Sequence, residues 1–263
     1  MTAPRRRPPF VVVIAAGITV AFFALPLIGL VRRASWSTLL SDLGTPDSLS
    51  ALRLSVLCSI SATVLSVLFG MPLAWALARL RFPGRALVRG LVLLPLVLPP
   101  VVGGVALLSA FSRRGIVGGL LYDWFGIQLT FSTAGAILAE TFVALPFFVI
   151  TVEAGLRSMD RRYEDVAATL GGGRRFVFQR VTLPLIAPAV VAGAVLSWAR
   201  ALGEFGATIT FAGNIVGRTQ TLPLAVYLQL EARPDVAIAL SLVLLVVSLT
   251  VIVSLRDRWL GTS

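Results

Sequence analysis

The sequence predicts an all-α integral membrane protein with six transmembrane helices, and three observations carry that prediction. Hydrophobic residues make up 57% of the chain, charged residues only 13%, and the mean hydropathy is +0.92. A soluble domain carries roughly 25% charged residues, so about half of the expected solvated surface is missing. Apolar runs near the length of about 20 residues that crosses a bilayer as a helix recur along the whole chain. The arginines fall between those runs, where the positive-inside rule places them. The same composition excludes a disordered chain, which would be poor in apolar residues.

All 23 basic residues are arginine, against 12 acids, giving a net charge of +11 and a pI near 11.6. A nucleic-acid-binding protein carries such an excess on a basic face of a soluble body. Arginines confined to gaps between apolar runs reflect topology instead, so no nucleic-acid partner is expected. Histidine is absent, and the single cysteine, Cys58, lies inside an apolar run. Intrachain disulfides, familiar thiolate or imidazole metal sites and histidine-based acid–base catalysis are thereby excluded. No metal is expected.

The first span covers about residues 10–31, behind Arg5, Arg6 and Arg7. Its uncharged run exceeds the apolar core of a secretory signal and no convincing small-x-small cleavage site follows, so a retained anchor helix is expected. Residues 35–50 are polar with Trp36, Leu39 and Leu40 interspersed, which suits a helix at the membrane interface. The remaining spans cover about residues 54–78, 90–111, 133–156, 185–211 and 236–255. Residues 113–131 read as an external loop with the interfacial aromatics Tyr122 and Trp124. Pro72, Pro95, Pro99, Pro100, Pro146 and Pro188 fall within or near the ends of spans. Each would cost about 3 kcal/mol in a soluble helix, but neighbouring helices in a membrane bundle re-satisfy the freed backbone.

Arginine counting orients the chain. With the N-terminus cytoplasmic, fifteen arginines lie in inside segments and six (Arg32, Arg33, Arg113, Arg114, Arg218, Arg233) outside, while Arg53 and Arg200 lie at or within spans. Both termini are therefore expected in the cytoplasm. Residues 1–48 form the anchor helix and external interfacial segment, 49–256 the transmembrane domain, and 257–263 a cytoplasmic tail.

The longest inside connection, residues 157–184, is also the most patterned. Asp160 is placed as an N-cap, and Tyr163, Val166, Ala167 and Leu170 recur at helical spacing. Gly171, Gly172 and Gly173 end that helix, because glycine adopts the left-handed backbone most freely. A basic stretch from Arg174 to Arg180 then leads through Leu183 and Pro184 into the fifth span. An ordinary solvated connection fits this pattern. So does a docking helix: the apolar face needs cover, and lipid is the wrong place for Glu164 and Asp165. A partner protein is the simplest cover.

Asp165, Val166, Ala167 and Gly171, then nine residues, then Val181, Thr182, Leu183 and Pro184 resemble the EAA loop of ABC-importer permeases. That motif is Glu-Ala-Ala, three residues, Gly, nine residues, Ile, one residue, Leu-Pro. The spacing matches throughout, and Asp165, Val166 and Val181 replace glutamate, alanine and isoleucine with charge or apolar character kept. A second stretch, Arg200-Ala-Leu-Gly-Glu204-Phe-Gly-Ala-Thr-Ile-Thr-Phe, with Asn214 and Gly217-Arg-Thr-Gln-Thr-Leu-Pro after it, looks like molybdate permeases. Leu94-Pro-Leu-Val-Leu-Pro-Pro100 is similar to the same group. Sulfate permeases share a looser version of both, and tungstate and thiosulfate remain alternative cargoes.

The resemblance covers roughly residues 49–256 and implies a type I ABC-importer permease fold in the bacterial plasma membrane. It implies a homodimer with one anion path between two copies of the permease, and an extracytoplasmic binding protein that delivers substrate. It also implies two ATP-binding subunits, each receiving one EAA-type helix in a surface groove. ATP and Mg would belong to those subunits, with no cofactor on this chain. The residues agree: a P-loop requires a lysine and the chain has none, so the chain is not expected to be the ATPase or any other enzyme.

Two other classes are weighed against this. An intramembrane enzyme would have only Glu140, Glu153, Glu204 and scattered hydroxyls for chemistry, and no adjacent pair suggests catalysis. An ATP-independent channel or carrier usually places paired ionisable groups near the midplane and shows internal repeats, neither of which is obvious here. Arg200 and Glu204 stand four residues apart and share one face of a helix. Counting from Pro184, they lie about 24 and 30 Å along the fifth span, near the external mouth. Two roles fit them: a structural pair that holds the outer gate closed, or an arginine that offers a transient cation to an arriving dianion. Glu140, Pro99 and Pro100 complete the path or gate candidates. Glu153 reads as a snorkelling or helix-contact residue, and Cys58 as a packing residue.

Overall fold

The computed structural model describes residues 9–259, and among these every regular element is helical. In chain order the helices are α1 (Phe10–Arg33), α2 (Leu39–Leu43), α3 (Pro46–Arg79), α4 (Arg85–Val97), α5 (Pro100–Phe111), α6 (Ile116–Phe125) and α7 (Thr133–Ser158). They continue as α8 (Arg162–Thr169), α9 (Arg174–Val177), a π turn (Phe178–Thr182), α10 (Leu183–Leu202), α11 (Gly206–Phe211), α12 (Leu222–Ala232) and α13 (Pro234–Trp259). Five helical segments are long and apolar enough to cross a membrane: α1, α3, α7, the run Arg174–Leu202 and α13. The pair α5 and α6, bent by 45°, makes a sixth when counted as one span.

Local chemistry sets the element ends. Thr45 accepts the Ser48 amide at 3.3 Å, with Pro46 in the first turn, so α3 starts before the expected residue 54. The boundary expected at residue 48 falls inside that first turn. Ser132 caps α7 in the same way, at 3.1 Å to the Gly135 amide. At the other end, α13 runs through residues 257–259 of the expected tail. Residues 260–263, with Arg5, Arg6 and Arg7, lie outside the described residues.

Two expected spans are broken. The span expected at residues 90–111 divides into α4 and α5, with Leu98 and Pro99 extended between them. Proline lacks the amide a helix interior needs and pushes its predecessor out of the helical region, so consecutive prolines end one helix and start the next. The span expected at 185–211 divides at Gly203, Glu204 and Phe205 into α10 and α11. The stretch read as an external loop holds α6, ended by Gly126 at φ +66°; at ten residues it was too short to read as a span. The interfacial helix shrinks to the five residues of α2. Arg233 reaches Asp42 of α2 at 3.4 Å, and Ser35 donates to Asp235 at 2.8 Å, tying this segment to the start of α13.

The core is the triad α3, α7 and α10. Ala74, Leu77 and Ala78 of α3, Phe148, Val149, Val152 and Leu156 of α7, and Ile186 of α10 form its main apolar cluster. Phe148 is fully buried between glycines: a Cβ on Gly70 would meet its Cδ1 at 2.7 Å, and one on Gly193 its Cδ2 at 3.3 Å. Gly155 meets the Ala189 Cβ at 2.4 Å by the same measure. Lipid supplies no hydrophobic drive between helices, so small residues that let backbones approach are what pack them. By contrast α1 buries none of its residues.

Candidate functional site

Two regions gather the residues that the sequence singled out. One is the loop from Arg157 to Pro184. Here α8 starts at Arg162, one residue later than an Asp160 N-cap would place it, yet Asp160 still accepts the Arg162 amide at 2.9 Å. Gly171 adopts φ +88° with nothing near its missing Cβ, so backbone conformation rather than space selects glycine there. At Gly172 space decides, because a Cβ would meet the Ala167 carbonyl oxygen at 2.7 Å. The chain therefore reverses sharply into α9.

The expected apolar face is outward. Tyr163 is 58% exposed, Val166 57% and Leu170 83%, while Ala167 is half-buried beneath them. Leu183 and Pro184 lie in the first turn of α10, which continues the helical run that begins at Arg174 through the π turn. Asp165 stays exposed, whereas Glu164, placed with it by the sequence under a partner protein's cover, turns into the permease itself. Its Oε2 lies 3.2 Å from Nη2 of Arg79 at the end of α3, and its Oε1 accepts the Thr182 hydroxyl at 2.7 Å. The helical turn directs Glu164 inward, away from the Tyr163–Leu170 face. Arg79 read only as one more inside arginine, and Thr182 as the unspecified residue of the motif; neither carried a local signal of this contact.

Other arginines near this loop are also engaged. Arg85 donates to the Leu77 carbonyl and Arg161 to that of Ala78, at 3.4 Å for Arg161, so both cap the carbonyl end of α3. Glu153 is paired by Arg89 and, at 2.8 Å, by Arg157, a helix-contact role as expected.

The second region joins the two broken helices. Glu204 is 1% exposed; its Oε2 lies 2.6 Å from Arg200 Nη1, and its Oε1 accepts the Ala207 amide at 2.8 Å. It thus pairs as expected although α10 has already ended at Leu202, and it also caps α11, which sequence spacing did not reveal. Arg200 is 29% exposed in its side chain. A Cβ on Gly206 would stand 2.5 Å from the Cβ of Pro100, and one on Gly104 would meet Thr210 at 2.5 Å. Pro100 at one break therefore presses on the glycine after the other. The two stretches that resemble molybdate permeases, far apart in sequence, are in contact.

Glu140 is 1% exposed, and its Oε2 has no hydrogen-bond partner among the described residues; the same holds for the buried hydroxyls of Ser66, Ser197 and Thr208. A buried carboxyl and several unmatched hydroxyls in neighbouring helices leave hydrogen-bonding capacity inside the bundle. Cys58 is wholly buried with Ala136 and Ala212, a packing residue. Among the described residues no three acidic or thiol groups cluster as metal ligands would.

The described residues form a helical membrane bundle with a patterned helical loop outside the spans and paired helix breaks within them. The model of the family of binding-protein-dependent transport system inner membrane components matches residues 66–262, and the chain belongs to that family. It is 51% identical to the molybdenum transport system permease protein ModB of Mycobacterium tuberculosis, over 91% of this chain and 90% of that one. It is 38% identical to the sulfate transport system permease protein CysT of Salmonella typhimurium, over 88% and 85% of the two chains. Its fold is that of a permease chain in a bacterial alginate ABC transporter in complex with an alginate pentasaccharide-bound periplasmic protein: TM-score 0.75, 19% identity, 96% and 94% covered. This is a multi-pass inner-membrane permease of the ABC-importer class.

Proposed function

We propose that this chain forms the translocation path for molybdate, a tetrahedral dianion, in an ATP-driven importer working by alternating access. The observation that carries the coupled mechanism is the exposed apolar face of Tyr163, Val166 and Leu170 on a helix outside the spans. An unpartnered apolar face of this kind needs a protein cover, and two ATP-binding subunits, one for each copy of the permease in a homodimer, supply it. ATP and Mg are held by those subunits; this chain binds no cofactor. With both termini cytoplasmic, the coupling loop faces the compartment that holds ATP. An extracytoplasmic binding protein delivers the anion to the opposite side.

Molybdate is favoured over sulfate by the higher identity to the molybdenum system than to the sulfate system. In this mechanism closure of the ATP-binding subunits pushes on α8, and the helical run Arg174–Leu202 carries the motion to the Arg200–Glu204 pair at its far end. Glu204 neutralises Arg200 and caps α11, so the pair holds the outer break in register. An anion that meets a neutralised arginine is held weakly and passes on, as a path requires.

The test is uptake of molybdate into proteoliposomes that carry the permease, its ATP-binding subunit and the binding protein, with ATP enclosed. Uptake that depends on ATP and is outcompeted by tungstate but not by excess sulfate supports a molybdate system. Equal competition by sulfate or thiosulfate moves the assignment to those anions. Uptake without ATP would make the chain a channel or carrier.

A further inference from the structure

We infer that Glu164 is an internal strut that transmits the motion of the coupling helix into two spans, and not a residue that grips the ATP-binding subunit. The inference rests on the coupling role proposed for α8 and names the side chain through which that role is exercised inside the permease. Glu164 turns away from the exposed Tyr163, Val166 and Leu170, and its carboxylate divides between two elements. One oxygen faces Arg79, the last residue of α3, at 3.2 Å; the other accepts the Thr182 hydroxyl, at 2.7 Å, from the π turn at the base of α10.

Each partner is itself held. The Arg79 side chain is 8% exposed, and neither its Nε nor the Nη2 that faces Glu164 has a hydrogen-bond partner among the described residues, so the contact is an ion pair and Glu164 is the carboxylate beside an otherwise unbalanced guanidinium. Thr182 is 1% exposed. The residues sit around a cleft of about 420 Å³ under α8, whose other walls include Trp75, Gly172 and Phe178. That cleft leaves α8 without a packed core beneath it. A helix of eight residues over a cavity would tilt under load; a carboxylate bridged to both α3 and α10 stops it. π turns inside helices are frequent at functional sites, and this one sits where the Thr182 hydroxyl meets the carboxylate. Glu164 is a positioning residue: it touches neither the anion nor ATP.

The experiment compares Glu164→Ala, Thr182→Val and the exchange Arg79→Glu with Glu164→Arg in the full complex with the ATP-binding subunit. Glu164→Ala and Thr182→Val are expected to retain that subunit on co-purification and to hydrolyse ATP as the wild type does. Molybdate taken up per ATP should fall about fivefold, within the range by which residues along a coupled network alter coupling. The charge exchange should recover at least about half of that loss, because it restores the ion pair without restoring the Thr182 bond. In the isolated permease, trypsin should cut after the exposed Arg161, Arg162, Arg174 and Arg175 at least about threefold faster in Glu164→Ala, since the loop opens locally more often. Unchanged uptake per ATP, an unchanged cutting rate, no recovery in the exchanged pair, or loss of the ATP-binding subunit with an intact loop would each overturn the strut. If the wild-type permease itself fails to retain an ATP-binding subunit, the coupling role of α8 has failed, and the trypsin comparison still decides whether Glu164 restrains the loop.

Discussion

Gly206 and Pro100 touch across two helix breaks: a Cβ on Gly206 would lie 2.5 Å from the proline Cβ and 3.3 Å from the backbone nitrogen of Val101. The glycine follows the Gly203–Phe205 break and the proline follows the Leu98–Pro99 break. Gly206→Ala should therefore force the breaks apart at an overpacking cost of about 1–3 kcal/mol. Thermal unfolding in detergent should begin several degrees lower and uptake should fall. An alanine variant with wild-type stability and uptake would show that the contact is slack.

The Arg200–Glu204 pair yields a second test. Arg200→Ala leaves a buried carboxylate unpaired, a change that in protein interiors costs about 3–5 kcal/mol, and transport should fall sharply. Arg200→Met combined with Glu204→Gln keeps size and leaves an acceptor for the Ala207 amide. Uptake by the double variant should return toward wild type if the pair is structural. Continued loss in a normally assembled complex would assign Arg200 to contact with the anion, and full uptake by Arg200→Ala alone would defeat both roles.

At the coupling loop, Gly171 and Gly173 make an internal control. Both have open space around the missing Cβ, but only Gly171 has positive φ, at +88°, whereas Gly173 has φ −64°. A β-branched side chain at positive φ costs about 1–3 kcal/mol. Gly171→Val should insert normally yet lose retention of the ATP-binding subunit or coupling, and Gly173→Val should behave as wild type. Equal behaviour of the two would remove the backbone argument.

Leu170 is 83% exposed and supports nothing within the permease. Leu170→Asp should leave the unfolding temperature within about 1 °C, as surface changes do, while reducing co-purification of the ATP-binding subunit at least tenfold. Retained association would place the docking face elsewhere.

Orientation has its own measurement. Reporter fusions after Gly126, at the end of α6, and after Gly172, in the coupling loop, should report opposite sides of the membrane. Agreement between the two would require a different number of crossings between them.

Residue order alone was sufficient for the membrane class, most of the spans and the helix–turn–helix form of the loop at residues 157–184. Transfer of apolar side chains from water to lipid is a local, additive free energy, and α1, α7 and α13 lie close to the expected runs. The same holds for the outward face of Tyr163, Val166 and Leu170, since helical period is a local property. What required the fold were the contacts between distant residues. Prolines 99 and 100 read as tolerated kinks, yet they divide a span into two helices, and Pro100 meets Gly206. Glu164 sits on the polar side of α8 by its spacing, but nothing local told solvent from Arg79, a residue of another span. Glu204 showed a partner four residues away and concealed its bond to Ala207, because that bond exists only where α10 stops. In lipid, which helix faces meet depends on how closely small residues such as Gly70, Gly155 and Gly193 let backbones approach. That quantity belongs to pairs of helices, so no single stretch of the chain contains it.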